Sequence, residues 1–144
     1  YIKTANFNIL KNTQIKGAVS IDLLPSNFDQ LKFEYKALAP SFKLYDDFKK
    51  KKISEEKFII HYKQQLSELN PNNVFEHINI LTGEEEPVLM CHGTKTKFCY
   101  RHIVADWLEE NLEIKINEFD RPNYIRKDGY LVKRKDPSLF EDED

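Results

Sequence analysis

Five residues that can bind a metal, bind an anion or react with a substrate lie within twelve positions of the chain: Cys91, His92, Cys99, Arg101 and His102. A deprotonated thiol is a nucleophile and a metal ligand, and a nearby imidazole or cation favours its deprotonation. A guanidinium group binds carboxylate or phosphate. We therefore expect ligand binding or chemistry in this stretch.

The elements that must position these residues are predicted from the apolar pattern. Pro87 opens a short apolar run at 88–91, which is typical of a strand buried on both faces. After a polar loop, apolar residues recur at helical spacing from about Cys99 onwards, at Ile103, Val104, Trp107, Leu108 and Leu112. Ligands of open α/β sheets bind at the carboxyl ends of the strands, and helix N-termini attract anions. We predict a pocket here for a small anionic molecule, a nucleotide or phosphate compound.

Arg101 is the strongest indication of an anion. A cation just inside a helix start gains nothing from the helix dipole, so its presence implies an acidic partner. The sequence allows two acidic partners for Arg101: Asp22, near the end of the second predicted strand, or an anionic ligand. Lys95 and Lys97 in the loop would add positive charge. The predicted ligand-binding residues are Arg101, Asp22, Cys99, Tyr35 and His92, and Cys91 is the candidate catalytic residue.

Cys91 has three interpretations. It is a nucleophile activated by Arg101, His92 or the helix N-terminus, a ligand contact, or a buried cysteine that behaves as a small hydrophobe. A disulfide with Cys99 would form a redox pair. Cys99 and His102 have the spacing of zinc ligands, but the adjacent Cys91 and His92 point to opposite faces of a strand. We predict no metal and no cofactor, and a thiol redox or metal switch is the weaker alternative.

The length and composition of the chain are those of one domain of ordinary size. The 144 residues are 40% hydrophobic and 32% charged, with a formal net charge of −2, so global charge attracts neither nucleic acid nor membrane. No apolar run approaches the roughly 20 residues of a membrane span. The N-terminal residues lack the features of a signal peptide, and two cysteines do not form a disulfide framework. We predict a bacterial-type cytoplasmic protein with no membrane partner.

Periodicity predicts an α/β fold in three layers, with helices covering about four mostly parallel strands. Residues 27–39 are predicted to form a loop that lies on the domain. Helices are expected to begin after three caps, Ser41, Ser54 and Asn70, and again near Cys99. Strands are expected at 2–6, 17–24, 88–91 and 113–119.

The C-terminal part differs from the rest. Asp128-Gly129 lies between two short β-like runs and predicts a β-hairpin appendage, which is basic. Residues 121–135 would bind a nucleic acid, with Tyr124 and Tyr130 stacking on bases, or a protein partner; we favour a protein-partner or structural role. We expect three parts: an α/β domain at 1–119, a hairpin extension at 120–136 and a disordered acidic tail at 137–144.

Two stretches together resemble the DUF488 family, the domain of unknown function 488 of small bacterial and archaeal proteins. The first is Tyr35-Lys-Ala-Leu-Ala-Pro-Ser41, which a lysine-rich turn and an acid-started helix follow. The second runs from Val88-Leu-Met-Cys91 to Cys99-Tyr-Arg-His-Ile-Val-Ala-Asp-Trp-Leu108. The family pattern there is a strand ending in Cys-Glu, a short loop and Cys-His-Arg before a helix. The resemblance spans about residues 1–119 and implies an α/β fold with no assigned reaction.

The chain departs from the family pattern at two polar positions. Cys91, Cys99 and Arg101 match, but His92 stands where the family has Glu, and Tyr100 where it has His. Asp22 corresponds to an Asp that many members carry after the second strand, although no Arg follows it here. Because two polar positions of the family motif are replaced, the sequence does not decide whether this protein catalyses a reaction. They motivate the alternative function, a non-catalytic interaction module that uses the hairpin.

Overall fold

The computed structural model describes residues 2–24, 27–92 and 97–133. These residues form a five-stranded parallel sheet flanked by four α-helices, followed by a two-stranded antiparallel hairpin. The predicted α/β class with a C-terminal hairpin is therefore confirmed. The strands of the sheet are β1 (Lys3–Asn6), β2 (Ala18–Ser20), β3 (Phe33–Glu34), β4 (Val88–Cys91) and β5 (Asn117–Glu118).

The strand order is β3-β2-β4-β1-β5, and each neighbouring pair is parallel. β4 is central and all its residues are buried, as its unbroken apolar run predicts. β3 is an edge strand within the predicted loop at 27–39, where only two residues pair with β2. β5 is shorter than the predicted strand at 113–119, because the preceding helix continues to Leu112 and Glu113 turns the chain with φ of 53°.

The helices begin where the sequence provides caps. The side chains of Ser41, Ser54 and Asn70 each accept a hydrogen bond from the N–H three residues further on, at 3.2, 3.1 and 3.2 Å. Each bond satisfies a donor that the first helical turn leaves unpaired. The helices are α1 (Phe42–Lys49), α2 (Glu55–Ser67), α3 (Pro71–Thr82) and α4 (Tyr100–Leu112).

The two faces of the sheet are covered differently. α4 packs on β1 and β4, and α2 and α3 pack on α4. The core on this face includes Phe58, Tyr62 and Leu66 of α2. The opposite face is covered by a 3-10 turn at Phe7–Lys11 and by loop side chains, including Ile15, Phe28 and Leu31. The third layer thus consists of loops and a short turn instead of α-helices.

The hairpin consists of β6 (Tyr124–Lys127) and β7 (Tyr130–Lys133). Asp128 and Gly129 form its turn with φ of 50° and 86°, which fits the Asp-Gly signal in the sequence. The predicted acidic tail at 137–144 lies outside the described residues. Within the described part of the chain, no helix is long and apolar enough to cross a membrane.

Candidate functional site

The carboxyl ends of β1, β2, β4 and β5 meet the N-terminus of α4 at one edge of the sheet. The parallel register places Asn6 beside Cys91, Thr4 beside Glu118, and Ser20 beside Met90. Polar side chains at these strand ends, such as Glu118, contact α4. This edge is the predicted location of the site.

Arg101 is buried in an ion pair with Glu118. Nε donates to Oε1 of Glu118 at 3.2 Å and Nη2 donates to Oε2 at 2.8 Å, while the Thr4 hydroxyl donates to Oε1 at 2.7 Å. The exposed fractions of the Arg101 and Glu118 side chains are 0% and 4%. Asp22 was one predicted partner of Arg101; the carboxylate that pairs with the guanidinium is instead Glu118, because β5 brings it to the buried side of the sheet beside α4.

Cys91 and Cys99 are joined by a disulfide bond. Cys91 is fully buried at the end of β4, and Nη1 of Arg101 lies 3.6 Å from its sulfur. Cys99 is the N-cap residue of α4, and its side chain gives no capping hydrogen bond. The disulfide and the guanidinium of Arg101 therefore lie close together, and the Arg101 and Cys91 side chains are both buried.

Asp22 and His92 form a second polar pair. Oδ2 of Asp22 accepts hydrogen bonds from the backbone N–H and from Nδ1 of His92, both at 2.8 Å. Oδ1 accepts from the N–H of Leu24 at 2.9 Å. Burial by itself would raise the pKa of Asp22, but these hydrogen bonds and the charge of His92 outweigh it and lower the pKa. Asp22 is therefore ionised at neutral pH.

A cavity of about 200 Å³ opens beside this pair. Its polar lining comes from Asp22, His92, Lys49 and Cys99. The remaining lining side chains are aromatic rings: Tyr45, Phe48, Phe58, Phe98 and Tyr100. The cavity thus combines stacking surfaces with charged groups of both signs.

Two buried tyrosines support this cavity. Burial, followed by the negative charge of Asp22, raises the pKa of both Tyr62 and Tyr100 above the ordinary value of 10.0. The Tyr62 hydroxyl donates to the carbonyl of Leu38. Both phenols are therefore neutral at neutral pH.

The hairpin holds the start of α4 in place. The N–H of Cys99 donates to the carbonyl of Gly129 at 2.9 Å, and the Phe98 ring lies against the Gly129 backbone. Arg126 reaches α4, where it pairs with Asp106 at 2.9 Å and with Glu109. The hairpin is thus packed on the domain beside the candidate site, and Arg126 is already neutralised by carboxylates.

The structure brings together most of the predicted site residues. Cys91, Cys99, Arg101, Asp22 and His92 all lie at this edge, but Arg101 and Cys91 are not part of the cavity lining. Tyr35 lies away from the cavity, where its hydroxyl is 3.1 Å from Nδ1 of His77. Its role in ligand binding stays a prediction. The predicted contribution of Lys95, like those of Arg134 and Lys135 in the hairpin, lies outside the described residues.

The zinc alternative is not supported by the described residues, which contain no group of three or more His, Cys, Asp or Glu placed to hold a metal. Two of its four ligands, Cys91 and Cys99, are bonded to each other. His102 is buried, and its two ring nitrogens have no hydrogen-bond partner among the described residues. Burial, followed by the charges of Arg101 and Arg126, lowers the pKa of His102 to about 2.

Two larger grooves lie elsewhere on the surface. A cavity of about 510 Å³ lies between α1 and α2, and one of about 840 Å³ lies between α2 and the hairpin. Neither contains the strand-end residues or a buried charged side chain. We therefore consider the smaller cavity at the sheet edge to be the candidate site.

Most of the chain matches a known protein family. Residues 9–112, well over half of the chain, match the family model described as DUF488-N3a, "Active DUF488-N3 subclade". The chain belongs to the DUF488 family. No curated protein and no solved structure matches it. The matched range of this DUF488 chain includes Asp22, Cys91, Cys99 and Arg101 and ends before Glu118 and the hairpin.

Glu118 is the site residue that sequence reasoning missed. In the predicted strand at 113–119, alternation places Ile114, Ile116 and Glu118 on the same face. Because the two isoleucines mark the buried face, a carboxylate in that register requires a buried partner. This signal was available from the sequence, but it did not identify Arg101 as the partner.

Proposed function

We propose that this DUF488 protein binds a small anionic molecule of the nucleotide class in the cavity at the carboxyl edge of its sheet. One observation carries the proposal: the cavity joins five aromatic rings to Lys49, His92 and Asp22 at the start of α4. Ligand sites in open α/β sheets occur at this edge. Turnover is left open, although the description of the family model as an active subclade favours it.

The aromatic wall favours a planar ring in the ligand. Phe48, Phe58 and Phe98 pack against one another with ring centroids 4.7 to 5.7 Å apart. Stacking of a base on an aromatic side chain contributes about 1–3 kcal/mol. The volume of about 200 Å³ is below the roughly 300–1,000 Å³ typical of drug-sized ligands. We therefore expect one base or one phosphorylated ring to enter, with the remainder in solvent.

The charges favour an anionic group at the mouth of the cavity. Lys49 is exposed at the end of α1 and forms no ion pair with any described residue, so its ammonium group is available to a phosphate. The positive end of the α4 dipole lies at the same place. The guanidinium of Arg101 is occupied by Glu118. We expect Arg101 to fix the start of α4 and Lys49 to meet the ligand's charge.

Calorimetric titration with adenosine monophosphate and with adenosine tests this proposal. We expect the phosphate to increase affinity, and Lys49→Ala to reduce that gain by up to about fivefold, since an exposed ion pair contributes up to about 1 kcal/mol. Lys63→Ala, which removes an exposed lysine from α2, is the matched control. Equal affinities for the two probes, or equal effects of the two substitutions, would contradict the proposal.

A thiol redox switch is a second candidate, favoured by the bond between Cys91 and Cys99. A dithiol reductant would supply two electrons, breaking the S–S bond to give two thiols while the reductant becomes a disulfide. Cys99 lines the cavity, so reduction changes its wall. Mass spectrometry after alkylation would count the thiols, and the affinity for adenosine monophosphate would be compared in both states. Identical affinities in the two states would reject the switch.

A further inference from the structure

We propose that Asp22 and His92 form an acid–base dyad, in which Nε2 of His92 gives or takes a proton at the bound ligand. This inference rests on the proposed function, because it concerns the same cavity. It goes further by assigning proton transfer to one atom. β2 and β4 are paired with Ser20 beside Met90, so the residues two positions further on, Asp22 and His92, leave the sheet side by side.

The carboxylate of Asp22 orients the imidazole. Its side chain is 4% exposed, and its two oxygens accept from the N–H groups of Leu24 and His92 as well as from Nδ1. Because an ionised carboxylate only accepts hydrogen bonds, Nδ1 must carry a hydrogen in the neutral ring. The lone pair of the neutral imidazole is then on Nε2. The edge-on contact with the Phe7 ring, with centroids 4.6 Å apart, holds the ring further.

Nε2 is free to meet a ligand. The His92 side chain is 47% exposed and belongs to the cavity lining, and no described residue forms a hydrogen bond with Nε2. The lone pair on Nε2 can take a proton from a ligand or from a water molecule, which yields an imidazolium that Asp22 stabilises. The same atom can then return the proton to a leaving group. This is the role that a carboxylate-oriented histidine has in hydrolytic triads.

The groups around the imidazole are consistent with this role. The charged groups that line the cavity with the imidazole are Asp22 and Lys49 of α1. Tyr45 of α1 and Tyr100 of α4 are the other titratable lining groups, and Cys99 is held in the disulfide. An anionic ligand would neutralise Lys49 and so favour proton uptake by His92. Binding and protonation are therefore expected to be coupled.

Two measurements test the dyad. In the free protein, long-range ¹H–¹⁵N correlation spectra of the imidazoles at pH 8 should find His92 with its proton on Nδ1, and Asp22→Asn should shift the proton to Nε2. With adenosine monophosphate as the probe, calorimetry in buffers of different ionisation enthalpy should give proton uptake on binding. We expect His92→Asn, which keeps a donor where Nδ1 stood, to bind the probe with its proton uptake lost.

The outcomes separate this inference from the proposed function. His61→Asn, at an exposed position of α2, is the matched control and should retain the wild-type proton uptake. Nδ1 without a proton in the wild-type spectrum, or proton uptake that persists in His92→Asn, would overturn the dyad. Absence of nucleotide binding by the wild-type protein would instead refute the proposed function, and the spectrum of the free protein would still decide whether the dyad exists.

Discussion

Replacing Glu118 by Gln tests whether the buried ion pair with Arg101 holds the sheet edge together. The amide has nearly the same shape and still accepts from Thr4, so the substitution removes charge with little change in volume. The Arg101 side chain is 0% exposed, so its guanidinium would lose its carboxylate in a buried position. Breaking such a pair by removing one partner costs about 3–5 kcal/mol.

That loss is large for a chain of this size. Domains unfold with about 5–15 kcal/mol, so Glu118→Gln should remove a substantial fraction of the total. With an unfolding entropy of about 2.1 cal/mol/K per residue over 144 residues, the melting temperature should fall by roughly 10–17 °C. Urea and thermal unfolding, followed by circular dichroism and by the fluorescence of Trp107, would measure both quantities.

Two further variants make the result decisive. Glu110→Gln, at an exposed position of α4, should stay within about 0.5 kcal/mol of the wild type. The double substitution Arg101→Met with Glu118→Leu removes both charges and should be more stable than Glu118→Gln, since apolar replacements of buried pairs are often neutral. A loss below about 1 kcal/mol in Glu118→Gln would refute the argument that the guanidinium depends on this carboxylate.

Three further predictions concern the surroundings of the site. The pKa of His102 is about 2 in the folded protein, against an ordinary value of 6.5. Below about pH 6.5 the unfolded state therefore binds one more proton than the folded state, and the free energy of unfolding falls by up to about 1.4 kcal/mol per pH unit. Urea unfolding of His102→Leu between pH 7 and 4.5 should lack this contribution. Gly129→Ala should destabilise more than Gly83→Ala in urea unfolding, because both have positive φ but a Cβ at Gly129 would lie 2.5 Å from the Phe98 ring. Replacing Arg126 by Met should lower the melting temperature and loosen the hairpin, as measured by amide hydrogen exchange of β6 and β7, because it leaves Asp106 and Glu109 without their partner.

Each of these has an outcome that contradicts it. Parallel pH profiles for the wild type and His102→Leu would mean that His102 takes up its proton in the folded protein. Equal losses for the two glycine variants would mean that Phe98 moves aside at no cost. Unchanged amide exchange of β6 and β7 in the Arg126 variant would mean that the ion pairs of Arg126 do not hold the hairpin against α4.

Much of this protein follows from local sequence. The caps at Ser41, Ser54 and Asn70 and the turn at Asp128-Gly129 satisfy backbone groups within a few residues, so their positions were predictable. The unbroken apolar run of β4 likewise indicated a central strand. The family motifs drew attention to Cys91, Cys99 and Arg101, and the match over 9–112 confirms the family.

Only the tertiary structure decided which of these residues contact one another. Sequence separation gives no measure of distance across a sheet, so the pairing of Arg101 with Glu118 and of Asp22 with His92 required the strand order. Arg101 is buried because α4, which carries it, packs beside β5, which carries its partner Glu118. The local sequence thus determined the helices, the strands and the residue types. The register of the parallel strands determined which side chains share a site, because contacts between distant residues are fixed by packing and not by local propensity.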